Sequence, residues 1–176
     1  FTADDSNYRK YFGAKIIPTR GSWLEFETSN RNVISVKIDR KRKIPVTTFL
    51  KAIGGYSEEE LCGIFAQVDN NNENQYIKTT LLKDPAKNHE EALIEVYKRI
   101  RPGDLVNAET AKSFLDAMFF DSKRYNLGKI GRYKINRRLC LNVKNIFENR
   151  ILLIDDIVET VKEIIRLNNT PNAQPD

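Results

Sequence analysis

Trp23 is the only tryptophan, and it opens an alternating stretch, Trp23-Leu24-Glu25-Phe26-Glu27-Thr28. In an extended strand, alternation sends Leu24 and Phe26 to one face and Trp23, Glu25 and Glu27 to the other. The ring is therefore expected on the polar face. A second alternating stretch, Val33 to Asp39, puts Ile34, Val36 and Ile38 on an apolar face and Lys37 and Asp39 on a polar one. It runs directly into Arg40-Lys41-Arg42-Lys43. An aromatic ring beside a row of cations is chemistry for holding unpaired nucleic acid. The ring stacks on a base, worth about 1–3 kcal/mol, and the cations meet phosphates. Asp39, on the same face as Trp23, can accept from a base edge or orient an arginine. The competing reading is a tryptophan covered by other parts of the chain, as large aromatics mostly are.

A second cationic stretch runs from Lys123 to Arg138, with seven basic residues and no acid; Lys37 to Lys43 has five and one. Together they carry +11 of a chain whose net charge is +5, leaving −6 on the rest. Positive charge concentrated on a mildly acidic body fits a polyanion binder, and equally a docking face for an acidic protein. Within it, Leu127-Gly128-Lys129-Ile130-Gly131-Arg132-Tyr133-Lys134-Ile135-Asn136 is neither a dinucleotide fingerprint nor a GxxxxGK[ST] phosphate loop. Tyr125 and Tyr133 interleave with the cations, which suits a binding surface carrying Arg132 and Lys134. The alternative is a turn-rich segment that packs Leu127, Ile130, Tyr133 and Ile135.

Little else points to chemistry. His89 is the only histidine, and Cys62 and Cys140 the only cysteines, so a Cys/His zinc cluster lacks ligands. Asp4-Asp5, Asp121 and Asp155-Asp156 are carboxylates of the type that binds Mg²⁺, but Asp155-Asp156 precede an apolar helical stripe, where acids complement the helix dipole. No nucleophile, base and oxyanion donor assemble.

The elements that must position these residues are an α+β set. A short antiparallel meander of two or three strands is expected over 10–44, followed by about five to six helices over 45–168, with 169–176 a linker or frayed tail. Pro45 opens one helix and Gly54-Gly55 closes it; Ser57-Glu58-Glu59-Glu60 is a capping box; Asn88 and Asn107 are further caps. Ile154 to Leu167 is the last helix. At 176 residues and 40% hydrophobic, one domain with a sizeable core is the default. No apolar run of about 18 residues offers a membrane span. The only methionine is Met118 and the chain opens Phe1-Thr2-Ala3, which reads as a piece of a longer polypeptide or a processed one.

Four ordered blocks carry a resemblance: Ala14-Lys15-Ile16-Ile17-Pro18-Thr19-Arg20-Gly21-Ser22-Trp23-Leu24-Glu25-Phe26-Glu27; Val36 to Thr47, with Ile38-Asp39-Arg40-Lys41-Arg42-Lys43 at its centre; Tyr97-Lys98-Arg99-Ile100-Arg101-Pro102-Gly103-Asp104; and Phe119-Phe120 to Asn136. Over residues 10–168 the chain resembles the β subunit of bacterial-type DNA-directed RNA polymerase. The matching stretch there is the lobe, which flanks the DNA cleft by the downstream duplex and the non-template strand. The resemblance implies a non-catalytic part of a nucleotidyltransferase, with Mg²⁺ held on another subunit and no cofactor here. It implies that Trp23 stacks on a non-template base, and that Asp39, Arg40 and Arg42 line the same pocket, with Arg20 and Lys41 beside them. DNA, other polymerase subunits, a sigma factor and transcription regulators are the implied partners, in a bacterial cytoplasm or a plastid. A module that chiefly docks other proteins is the alternative. Val68 to Lys87 is short where some lineages carry a large insertion.

Overall fold

The structure is a computed structural model that describes residues 1–6 and 9–175. Five strands run β1 (Thr2–Ser6), β2 (Arg9–Ile16), β3 (Leu24–Thr28), β4 (Ile34–Ile38) and β5 (Ile44–Pro45). They form one antiparallel sheet in chain order. The meander is thus longer than the two or three strands expected, because β1 lacks the apolar alternation that marks a half-buried strand. Seven helices follow among the described residues: α1 (Val46–Gly54), α2 (Glu58–Phe65), α3 (Tyr76–Lys83), α4 (His89–Ile100), α5 (Ala108–Phe119), α6 (Gly128–Leu139) and α7 (Ile154–Asn168). None is long and apolar enough to cross a membrane.

Alternation places the sheet's faces as expected. Leu24 and Phe26 of β3 and Ile34, Val36 and Ile38 of β4 are buried, while Glu25, Glu27 and Lys37 are half-buried. The apolar face lies in one core with Phe49 and Leu50 of α1 and Val161, Ile164 and Ile165 of α7. β2 changes partner midway: residues 9–13 pair with β1 and residues 14–16 with β3. Gly13 sits at the switch, where an added Cβ would lie 2.3 Å from the Phe26 carbonyl oxygen. Phe12, just before it, would be left with unpaired backbone groups. Asn168 accepts from its N–H (3.0 Å) and Thr28 donates to its carbonyl (2.7 Å), which bolts the end of α7 to the sheet.

Local caps hold the helices. The Ser57 capping box forms, with Glu60 N–H donating to the Ser57 hydroxyl and Ser57 N–H to the Glu60 carboxylate, both at 3.1 Å. Asn88 and Asn107 accept from Glu91 and Thr110 amides. Gly55, left-handed at φ 66°, ends α1. Near the end of the described residues, Asn169 donates to the Val68 carbonyl and Arg138 donates to the Pro175 carbonyl.

α6 replaces the turn-rich reading of 127–136. It buries a single side chain, Arg132. Its one fully buried side chain is thus charged; Ile135 packs against the core only in part, and no apolar stripe announces the helix.

Tyr125 lies fully buried behind this helix, and its hydroxyl has no hydrogen-bond partner among the described residues. Burial, reinforced by the Asp156 charge and opposed by Arg132, pushes its pKa well above the ordinary value of 10.0. The folded state thus holds the phenol proton more tightly than the unfolded chain. The stability this contributes is present below pH 10 and is lost as pH rises above it. Tyr125→Phe is expected to be neutral or slightly stabilising at pH 7 and to flatten the alkaline fall. Urea midpoints at pH 7, 9.5 and 11 check both; an unchanged alkaline slope would refute the second.

Candidate nucleic-acid interface

The turn after β4 sets the site. Ile38-Asp39-Arg40-Lys41 closes with Lys41 N–H donating to the Ile38 carbonyl (3.1 Å), and Asp39 and Arg40 are both left-handed, at φ 51° and 61°. Two such residues make a type I′ turn, whose twist matches an antiparallel pair. Asp39 then faces the residue before β3. Its carboxylate accepts the Trp23 N–H at 2.9 Å, and its own N–H donates to the Trp23 carbonyl at 3.0 Å. One Asp39 oxygen is thus spent on fixing the tryptophan backbone.

Trp23 is 38% exposed, just outside the strand on which alternation placed it. The Arg40 guanidinium lies 5.7 Å from its ring centroid, within cation–π range, and its Nε is 3.4 Å from Glu25. The turn, the ring and the arginine form one preset cluster.

The remaining cations divide into committed and open ones. Lys41 donates to the Ile100 carbonyl at the end of α4 (2.9 Å). Lys37 and Lys43 share Glu27 at 3.4 and 3.6 Å. Arg42 is exposed and has no hydrogen bond or ion pair among the described residues. Arg20 is exposed, pairs by backbone with Asn126, and donates to the Lys123 carbonyl (3.2 Å), tying the sheet to the second cationic stretch. An open groove of about 640 Å³ runs along this ridge, and no acidic residue lines it. Its far wall holds Arg99, which pairs with Glu95 at 2.9 Å and donates to the Lys43 carbonyl. Sequence reasoning passed over Arg99. Its position beside Arg101-Pro102-Gly103, off the buried stripe of α4, was the available signal.

The second cationic stretch needs a correction. Arg132 is not a surface residue: its side chain is fully buried. It holds both Asp156 oxygens, at 2.7 and 2.8 Å, and donates to the Asn149 and Ile151 carbonyls at 2.9 Å. A planar guanidinium with five donors can be satisfied this way in a dry interior. Asp156 also caps α7 by accepting the Leu153 N–H (2.9 Å). Lys134 is exposed, as read from the sequence. His89 packs at the start of α4, 3.2 Å from the Ala52 carbonyl.

Fold and site together define a class: an α+β domain whose sheet ends in a cationic, tryptophan-bearing ridge. The family described as RNA polymerase Rpb2, domain 2, matches residues 2–174, and the chain belongs to that family. Its relatives are DNA-directed RNA polymerase β subunits. That of Dehalococcoides mccartyi is 47% identical over 174 residues, covering 98% of this chain and 14% of the relative. That of Chloroflexus aggregans is 40% identical over 200 residues, covering 94% and 16%. That of Lysinibacillus sphaericus is 45% identical over 148 residues, covering 84% and 12%. The chain thus spans less than a fifth of the length of these relatives.

Proposed function

We propose that this domain serves as the lobe of an RNA polymerase β subunit, forming one wall of the DNA cleft of a nucleotidyltransferase. In this reading Trp23 stacks on a non-template base, Arg40 and Arg42 meet backbone phosphates, and Arg20 lies beside them. Asp39 acts chiefly by holding Trp23, and Lys41 chiefly by holding the ridge to α4. Catalysis and its Mg²⁺ belong to another subunit. Other subunits, a sigma factor and regulators complete the partner set.

The observation that carries the reading is the preset cluster of Trp23, Asp39 and Arg40 beside a groove lined by cations and no acid. Short labelled single-stranded DNA, followed by anisotropy at low salt, tests it. Trp23→Ala is expected to weaken binding by roughly 5- to 150-fold, the loss of one stacked base. Arg42→Ala is expected to weaken it uniformly across sequences and to lower the salt slope by about 1. Lys41→Ala should do less, because its ammonium is already engaged. Equal affinity of wild type and Trp23→Ala would sink the stacking role.

A further inference from the structure

Arg40 occupies one face of the Trp23 ring. Its guanidinium lies 5.7 Å from the ring centroid, and its Nε is 3.4 Å from Glu25 Oε1. The indole π cloud attracts a cation placed there. That cation also covers the surface on which a base would stack. The backbone beneath is fixed: Lys41 N–H closes the turn on the Ile38 carbonyl, and Asp39 holds the Trp23 backbone by two hydrogen bonds. The Arg40 side chain is 73% exposed, so little packing keeps it over the ring.

Glu25 supplies the hold. In the sheet register it stands between Lys15 and Lys37, yet among the described residues it forms an ion pair with neither. Lys37 goes instead to Glu27, at 3.4 Å. The Glu25 side chain is 21% exposed, and its Oε1 is buried and accepts no hydrogen bond among the described residues. A carboxylate oxygen withdrawn from water and without a hydrogen bond depends on a nearby cation. Arg40 is the cation that the structure gives it.

We propose that Glu25 is a positioning residue that latches Arg40 over Trp23 in the free protein, so that a base stacks on that face only by displacing the guanidinium, which then turns to the nucleotide's phosphate. The inference rests on the stacking reading of Trp23 and adds the regulation of that site. Glu25 and the phosphate compete for one guanidinium. When Arg40 leaves, the buried Glu25 oxygen loses its partner, and that cost opposes incomplete occupants. A free phosphate brings an anion but no base for the ring; a base without its phosphate brings no anion for the guanidinium. A nucleotide replaces both contacts at once. Because Asp39 fixes the turn independently, the exchange is confined to the Arg40 side chain.

The test uses the 176-residue chain, a short labelled single-stranded DNA at low salt, and the Arg40 Nε–H signal in NMR. Glu25→Gln keeps the shape and removes the charge. It is expected to bind the strand about 2- to 5-fold more tightly, the worth of a mostly exposed ion pair. Glu27→Gln removes the same charge from the same face but serves Lys37 and Lys43, and should gain less. In an Arg40→Gln background, Glu25→Gln should gain no more than Glu27→Gln does. Without DNA, the Arg40 signal should carry the ring-current shift of Trp23 in wild type and lose part of it in Glu25→Gln. Adding DNA to wild type should move it the same way. A gain in affinity cannot come from a misfolded variant. The inference is overturned by equal gains for Glu25→Gln and Glu27→Gln, by a Glu25 gain that survives in the Arg40→Gln background, or by an Arg40 signal that DNA leaves in place. Any of these, with Trp23→Ala still weakened, leaves the stacking role standing; Trp23→Ala binding like wild type removes both.

Discussion

Arg132→Ala is expected to cost about 3–5 kcal/mol of stability, the usual loss when one partner of a buried ion pair is removed. The guanidinium makes four hydrogen bonds, two to Asp156 and two to backbone carbonyls, with no solvent exposure. Its removal leaves the Asp156 carboxylate buried with only neutral donors, and leaves the Asn149 and Ile151 carbonyls without it. It also takes away the one fully buried side chain of α6. Arg132→Lys should fall between, because an ammonium cannot serve a bidentate carboxylate and two carbonyls in one plane. Lys134→Ala, two residues along on the exposed side, should stay within about 0.5 kcal/mol. Urea unfolding measures all three. At temperatures where Arg132→Ala is still folded, DNA affinity per folded molecule should match wild type. A loss below 1 kcal/mol, or a selective loss of DNA binding, would return Arg132 to the surface role that its neighbours in sequence suggest.

That reversal shows where sequence stops being legible. Signals within four residues read well: Ser57 with Glu60, Asn88 with Glu91, the Asn107 cap, and the in–out alternation of β3 and β4 all appear as expected. The pairing of Trp23 with Asp39 was half legible, since alternation put both on one polar face. The type I′ turn that brings them into contact was not, because Asp39-Arg40 lacks the glycine that normally marks it. α6 stayed hidden for a different reason. Periodicity finds helices through apolar stripes, and this one is held by an arginine whose partner lies 24 residues away on another helix. Asp156 did read as a helix-start acid, and it is one, but its second bond to Arg132 has no trace in local pattern. The same limit hid the division of the ridge. Lys41 and Arg42 are equivalent in sequence, yet the α4 carbonyl that engages Lys41 comes from Ile100.

The other large effect is expected at Asp84. Lys51, on α1, is fully buried with its ammonium 2.9 Å from Asp84, 3.2 Å from Glu58 and 2.7 Å from the Ala86 carbonyl. Asp84 also accepts from the Thr47 and Thr48 hydroxyls, at 2.9 and 2.6 Å, and from the Ala86 N–H, at 2.9 Å. One carboxylate thus answers a buried cation and two buried hydroxyls on the first turns of α1. Asp84→Ala leaves the two hydroxyls without this acceptor and the buried ammonium with only the half-exposed Glu58 and the Ala86 carbonyl, and about 3–5 kcal/mol should be lost. Lys51→Met should cost less, because its partner keeps three neutral donors. The double variant should cost clearly less than the two single losses added, since removing both charges leaves no uncompensated ion. Additive losses would mean that the two groups stabilise the fold independently. The network matters for the ridge because α1 follows β5 directly, and Arg40 to Lys43 form the loop between β4 and β5. Weakening the start of α1 therefore loosens the C-terminal anchor of that loop. Hydrogen exchange in Asp84→Ala should accelerate first at Ile44 and the first turn of α1, while Trp23 and Asp39, held by their own pair of hydrogen bonds, keep their protection.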